Sequence, residues 1–204
     1  KRLENEIYIK REDLQPVFSF KLRGAYNKIS RLKVTKNITT VIAASAGNHA
    51  QGVALSAKKL KIKAIIVMPK TTPEIKINAV KALKGQVILF GDSYDDAYEF
   101  AKSKAKEEQL EFIHPYDDID VIAGQGTIAL EIIEQLKKKP DYIFVPVGGG
   151  GLLAGITSYL KYESPKTKII AVEPSDSDCF NQAFIAKKRV KLKNIGIFAD
   201  GVAV

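Results

Sequence analysis

Ser19-Phe20-Lys21-Leu22-Arg23-Gly24-Ala25 sets one lysine between apolar neighbours, where a loop should turn into a helix. From Ser19 to Leu32 the pattern is helical, with Leu22, Tyr26 and Ile29 on one face and Ser19 expected as the N-cap. Lys21 then falls in the first turn, where free N–H groups and the helix dipole favour a nearby anion. A lysine in such a setting can lose its proton and act as an amine nucleophile. The competing reading is a surface lysine stretched along apolar neighbours, and a chain with 32 Lys plus Arg offers many of those.

Two further stretches bear on that choice. The apolar run Asp141 to Val147 reads as a buried strand and leads into Gly148-Gly149-Gly150-Gly151-Leu152, with a helix expected from Leu152 to Tyr162. Four glycines cost chain entropy on ordering, so the physical reason to keep them is close backbone approach to a ligand. Successive bare N–H groups followed by a helix N-terminus suit a phosphate. A tight strand-to-helix turn needs only one or two glycines. A dinucleotide site stays open because Glu173 lies at a suitable distance, although the packed glycines fit the spaced fingerprint poorly.

Ser45-Ala46-Gly47-Asn48-His49-Ala50-Gln51-Gly52 also follows a buried strand, Thr40 to Ala44, and precedes a helix over 50–60. Its hydroxyl, backbone N–H groups and Asn48 amide can converge on a small anion such as a carboxylate. Taken alone, Asn48 reads as an N-cap and His49 as a structural histidine, since no serine and carboxylate accompany it in triad order.

Elsewhere strands are expected at Ile7–Lys10, Ala64–Met68, Gln86–Phe90, Phe112–Ile113 and Lys168–Glu173. Helices are expected at Glu74–Leu83, Ser93–Gln109, Thr127–Lys138 and Ser177–Ala186, with loop and strand over Asn194–Val204. This alternation is the signature of a parallel sheet with crossover helices, an α/β fold. No repeat or low-complexity linker marks a domain boundary.

The composition excludes several classes. No apolar run is long enough for a membrane helix, and no signal peptide opens the chain. The formal charge of +9 invites a nucleic-acid reading, but the lysines spread along helices without interleaved aromatic residues, so no nucleic-acid partner is expected. The single cysteine, Cys179, excludes an internal disulfide, fits a reducing compartment and reads as a small buried side chain. Two histidines and one cysteine leave little for a transition-metal site, so none is expected.

In combination the motifs resemble one family. Lys10-Arg11-Glu12-Asp13-Leu14-Gln15-Pro16, the Ser19–Ala25 run, Ser45–Gly52, Val121–Thr127, Val145–Leu152 and Phe198–Val204 are similar, in the same order, to biosynthetic threonine dehydratases. The resemblance covers nearly the whole chain. It implies the tryptophan-synthase β-like (fold type II) fold of pyridoxal-phosphate (PLP) enzymes, with two α/β domains and the cofactor between them. The smaller domain would be an insertion at 43–119, and the larger would combine 1–42 with 120–204. Lys21 would carry PLP as a Schiff base, with Phe20 beside its ring. Gly148, Gly149, Gly150, Gly151 and Leu152 would hold the phosphate, Asn48 the ring hydroxyl, and Ser45 with Asn48 and His49 the substrate carboxylate.

The implied reaction removes water and then ammonia from threonine, and also serine, giving 2-oxobutanoate or pyruvate in isoleucine biosynthesis. The implied setting is a cytoplasmic homo-oligomer. Related serine racemases carry a serine as second acid/base where this chain has Ala46, which argues for elimination. The family's serine opposite the pyridine nitrogen, and its isoleucine-binding regulatory domain, are expected beyond Val204, and a preceding segment is expected before Lys1. Glu173 and Asp178 fall near cation positions of some relatives but read better as a solvated acidic loop. Two rivals remain: a cysteine-synthase-like β-replacement enzyme, and a non-catalytic phosphate- or nucleotide-binding module.

Overall fold

The computed structural model describes residues 4–192, 195, 196, 198, 199, 201 and 202. Asn194, Asp200, Ala203 and Val204 lie outside the described residues, so the strand expected over 194–204 is not addressed. Four apolar runs form one parallel sheet: β1 (Thr40–Ala44), β2 (Lys63–Met68), β3 (Gln86–Leu89) and β4 (Glu111–Phe112), in the order β3-β2-β1-β4. Each parallel step needs a crossover, and α2 (Asn48–Leu60), α3 (Glu74–Ala82) and α4 (Tyr94–Glu107) supply them.

Alternation along the strands divides the core. Val41, Ala43, Ile66 and Met68 pack with Val53, Ala54 and Ala57 of α2, Val80 of α3 and Ile29 of α1 (Lys21–Lys36). Ile42, Ala44, Ile65 and Val67 face the other way, onto Ala97, Ala101 and Ala105 of α4. Burial on both faces explains why these strands read as continuous apolar runs. Ser93 caps α4 reciprocally with Asp96: the Asp96 N–H donates to the Ser93 hydroxyl, and the Ser93 N–H to the Asp96 carboxylate.

A second parallel pair, β5 (Tyr142–Pro146) and β6 (Lys168–Val172), packs Ile143 and Val145 on Ile128 and Ala129 of α5 (Ile119–Leu136) and on Ile156 and Leu160 of α6 (Gly151–Glu163). The final helix is α7 (Cys179–Ala186). No helix among the described residues is long and apolar enough to cross a membrane.

Three expectations are corrected. Ile7–Lys10 is not a strand: among the described residues no strand pairs with it, and Ile7, Tyr8 and Ile9 stand exposed. The N-cap of α1 is Phe20, while the Ser19 hydroxyl accepts the Lys21 N–H at 3.3 Å. Helix α5 begins at Ile119 rather than Thr127, running through Gly124 and Gly126. Its start is set by Asp118, whose side chain accepts the N–H groups of Asp120 and Val121.

Those interior glycines are packing devices. A Cβ on Gly124 would stand 2.6 Å from Arg23 O and Gly24 Cα, and one on Gly24 would stand 2.7 Å from Val121 O. On the other side, a Cβ on Gly155 of α6 would overlap Ile122 O and lie 2.6 Å from Gly126 N. Helix α5 therefore touches α1 and α6 backbone to backbone. Gly155→Ala should destabilise the chain by about 2 kcal/mol in urea unfolding, because overpacking against fixed backbone outweighs the ~1 kcal/mol helix-propensity gain of alanine.

Candidate active site

The loops that matter leave the carboxyl ends of the strands, where open α/β sheets bind ligands. Crossover helices α2 and α3 pack on one face of the sheet and α4, which leads to β4, on the other, so the strand order reverses between β1 and β4, the switch point. Ser45–Gly47 follows β1 and leads into α2, while Ile113–Asp118 follows β4 and leads into α5. From the second sheet, β5 runs through Val147 into the tetraglycine turn and α6.

Lys21 is the first residue of α1 and lines a cleft with Phe20, Pro115, Tyr116 and the tetraglycine turn. Its Nζ donates to Pro115 O at 2.9 Å and stands 5.5 Å from the Phe20 ring centroid and 5.9 Å from that of Tyr116. Burial lowers its pKa from 10.5 to about 8. A carbonyl oxygen and two ring faces give the amine a polar contact without a carboxylate to hold its proton. Burial is what favours the nucleophilic free base, against the carbonyl and the ring faces, which by themselves would suit the charged amine.

Gly150 is the N-cap of α6 with φ +83°, a left-handed conformation that a side chain would strain. The first N–H groups of α6 have no partner within their own helix. A Cβ on Gly149 would stand 2.6 Å from Tyr116 Cε1, and one on Gly151 would stand 2.7 Å from Tyr116 O. Glycine is required here both for the turn and for its neighbour. A phosphate at this turn, with a carbonyl carbon reaching Lys21, fits the chemistry of the donors present.

The first turn of α1 is held by a saturated guanidinium. Arg23 donates through Nε and Nη2 to Glu12 at 2.7 and 2.8 Å, and through Nη1 and Nη2 to Glu131 at 2.6 and 2.8 Å. Its fifth N–H goes to Thr127 Oγ1 at 3.0 Å. Lys10 adds a 2.6 Å bond to Glu131. The Arg23 pKa is raised, chiefly by Glu131, and the hydrogen bond from Arg23 brings the Glu131 carboxyl down to about 2. Gln125, 1 % exposed, accepts the Gly24 N–H at 3.2 Å, a further tie between α5 and this turn.

The expected site residues fall into two groups. Phe20, Lys21, Gly148, Gly149, Gly150, Gly151 and Leu152 line one cleft. Ser45, Asn48 and His49 do not line it; they sit on the loop and first turn after β1. The two groups are neighbours, since a Cβ on Gly52 of α2 would stand 3.1 Å from Leu22 N. Asn48 is exposed at the start of α2, and the Ser45 hydroxyl accepts the Gly47 N–H at 3.2 Å.

His49 is buried, with Nε2 at 2.9 Å from Ile113 O. Burial first, then the charge of Lys21, lowers its pKa to about 3. The neutral ring therefore donates Nε2–H to Ile113 O, and Nδ1 is left as an acceptor that finds no partner among the described residues. Pro115, Tyr116 and Gln125 were not expected in the site. The one signal for Pro115 and Tyr116 is the short loop between a strand and a helix, while Gln125 lies within α5.

Among the described residues no cluster of three His, Cys, Asp or Glu side chains could hold a metal ion. The Glu173 carboxylate accepts the N–H groups of Phe180 and Asn181 at 2.9 and 2.8 Å, and Asp178 accepts from Asn181 and Gln182, so both serve the first turn of α7. Cys179 is half-buried rather than buried, because it opens that helix.

A family model described as "Pyridoxal-phosphate dependent enzyme" matches residues 1–204. The chain belongs to the pyridoxal-phosphate-dependent enzyme family. It is 59% identical over 204 residues to "Threonine dehydratase biosynthetic, chloroplastic" of Arabidopsis thaliana, a match covering 100% of this chain and 34% of that protein. It is 53% identical over 206 residues to the biosynthetic L-threonine dehydratase of Burkholderia multivorans, covering 100% of this chain and 41% of that protein. Among solved structures it resembles the processed form of threonine deaminase isoform 2 from Solanum lycopersicum, with TM-score 0.96 and 53% identity over 100% of this chain and 59% of that one. Maize serine racemase follows at TM-score 0.90 and 37% identity, over 95% of this chain and 58% of that one. The chain thus has the fold type II α/β architecture of these PLP enzymes and spans 34% and 41% of the two curated relatives named.

Two measurements check the site's electrostatics. Acylation of Lys21, followed by peptide mapping, should show a midpoint near pH 8, below the ordinary lysine value of about 10.4. A depressed carboxyl contributes stability above its ordinary pKa and loses it as pH falls through the folded value. Glu131→Gln should therefore flatten the loss of stability between pH 4.5 and about 2.

Proposed function

We propose that this chain is the catalytic part of a threonine ammonia-lyase. The observation that carries the reading is Lys21: a buried amine of lowered pKa, first in its helix, sharing a cleft with a tetraglycine turn. The similarity to proteins named threonine dehydratase supports the choice of substrate.

In this reading Lys21 holds the cofactor covalently, the turn at Gly148–Gly151 with Leu152 takes the phosphate, and Phe20 packs beside the ring. Asn48 bonds the ring hydroxyl, and Ser45 with the backbone of its loop as far as His49 takes the substrate carboxylate, the His49 ring being held by Ile113 O. When bound, the cofactor supplies an electron sink for charge developing at the substrate α-carbon. With the cofactor bound, the Lys21 Nζ would be freed when substrate takes its place and would be the base for the Cα proton. The Ser45 loop fixes the carboxylate so that the Cα–H bond faces that amine. Net loss of ammonia converts threonine to 2-oxobutanoate, water leaving from Cβ and returning on hydrolysis. Serine would give pyruvate.

The two sheets support a division into a smaller insertion at 43–119 and a larger part formed by 1–42 and 120–204. We place the activity in isoleucine biosynthesis, in a homo-oligomer in the cytoplasm, acting on a small amino acid with no nucleic-acid or membrane partner.

The purified chain mixed with PLP and reduced with borohydride should carry its label on Lys21, and threonine should yield 2-oxobutanoate without an added thiol. Lys21→Ala should abolish the label and lower turnover by about 10³-fold or more. Label scattered over surface lysines, with no preference for Lys21, would overturn the reading.

A further inference from the structure

We propose that Tyr116 is a positioning residue, its ring setting the distance between the tetraglycine turn and the Lys21 amine. The inference rests on the PLP reading above.

A cofactor held at two points, by its phosphate and by its carbonyl carbon, has a fixed length between them. The protein must match that length, and Tyr116 stands between the two holding points. A Cβ on Gly149 would run into its ring and one on Gly151 into its backbone, so neither position has room for a side chain. The same ring lies 5.9 Å from Lys21 Nζ, and the preceding carbonyl, Pro115 O, accepts that amine's hydrogen bond.

The loop itself is braced. His114 Nδ1 accepts the N–H groups of Tyr116 and Asp117 at 3.3 and 2.8 Å, and the His114 ring meets the Tyr116 ring edge-on at 4.8 Å. Just upstream, Ile113 O takes His49 Nε2, which ties the loop to the first turn of α2. A wall fixed on both sides transmits spacing; a loose one would not.

The ring also keeps water from Lys21. The ionisable groups near that amine, His49 of α2 and His114 of the same loop, both have pKa values lowered first by burial, so they are neutral near pH 8. A change in the Lys21 midpoint on altering Tyr116 then reports water access rather than a new neighbouring charge.

The test uses the full chain with Tyr116→Phe, Tyr116→Leu and Tyr116→Trp, and two readouts. One is the pH midpoint of Lys21 acylation without cofactor, and the other is the PLP dissociation constant from absorbance. In Tyr116→Leu the midpoint should rise from about 8 toward the ordinary lysine value, and PLP should bind about tenfold more weakly. Tyr116→Phe should keep both within about twofold, since the ring and not the hydroxyl makes these contacts. Tyr116→Trp should keep the low midpoint but weaken PLP about tenfold, because its larger ring pushes on Gly149; it also decides the question if the leucine variant does not fold.

Leucine and tryptophan variants that match the parent in both readouts would overturn the inference, as would a phenylalanine variant that behaves like leucine. A parent chain that does not take PLP on Lys21 would sink the functional reading, and this inference with it.

Discussion

Helix α5 lies against α1 and α6 with no side chain between the backbones at Gly24, Gly124, Gly126 and Gly155. The rest of the site depends on that contact. Helix α1 begins with Lys21 and α6 begins with the tetraglycine turn, so both starts are referred to the same central helix. A single added methyl group at these crossings meets main-chain atoms that cannot turn aside. Close-packed interiors transmit such displacements rather than absorb them. The amine and the anion cradle are therefore fixed relative to each other by backbone geometry, before any polar interaction is counted.

Electrostatics then refine what packing has placed. The Arg23 cluster is neutral as a set, Lys10 and Arg23 against Glu12 and Glu131, and it uses every guanidinium donor. It anchors the first turn of α1 without adding net charge near Lys21. The amine is thus free to respond to burial alone, the cause of its lowered pKa. A carboxylate beside Lys21 would do the opposite, holding the proton and silencing the nucleophile. The loop supplies a carbonyl instead, which bonds the amine without carrying a full charge.

Much of this was legible in the sequence, because its strongest signals are local. Apolar runs bounded by turns gave β1 to β3 and β5 within a residue or two; β1 and β2 are apolar because both faces are buried, whereas β5, read as a buried strand, buries Ile143 and Val145 and leaves Tyr142 and Phe144 exposed. The tetraglycine and the Lys21 run stood out because each breaks a local rule of structure. The misses have a common cause. Ile7–Lys10 alternates like a strand, but pairing is a tertiary matter and no partner lies beside it. The expected start at Thr127 left Gly124 and Gly126 outside the helix; glycine weakens an isolated helix, yet here the two permit the contact that makes the helix worthwhile. Propensity describes a helix alone; packing decided this one. Asn48 and Ser45 were grouped with the site through resemblance; they sit on the loop and first turn after β1, next to the cleft.

The least legible part is the segment from Ile113 to Tyr116. Two of its contributions are backbone carbonyls, Ile113 O toward His49 and Pro115 O toward Lys21. A carbonyl has no side-chain identity, so no residue pattern announces it. The third contribution, the Tyr116 ring, is visible only against the glycines that make room for it, more than thirty positions along the chain. This segment leaves the sheet at its switch point, and there the strands' carboxyl ends open toward the cleft. It links the loop after β1, the amine of α1 and the turn before α6. The four-stranded sheet reaches Lys21 through this loop as well as through α1, whose Ile29 packs in the sheet's core. The geometry of the cleft thus depends in part on a short loop whose sequence, His-Pro-Tyr-Asp-Asp, reads as an ordinary connection.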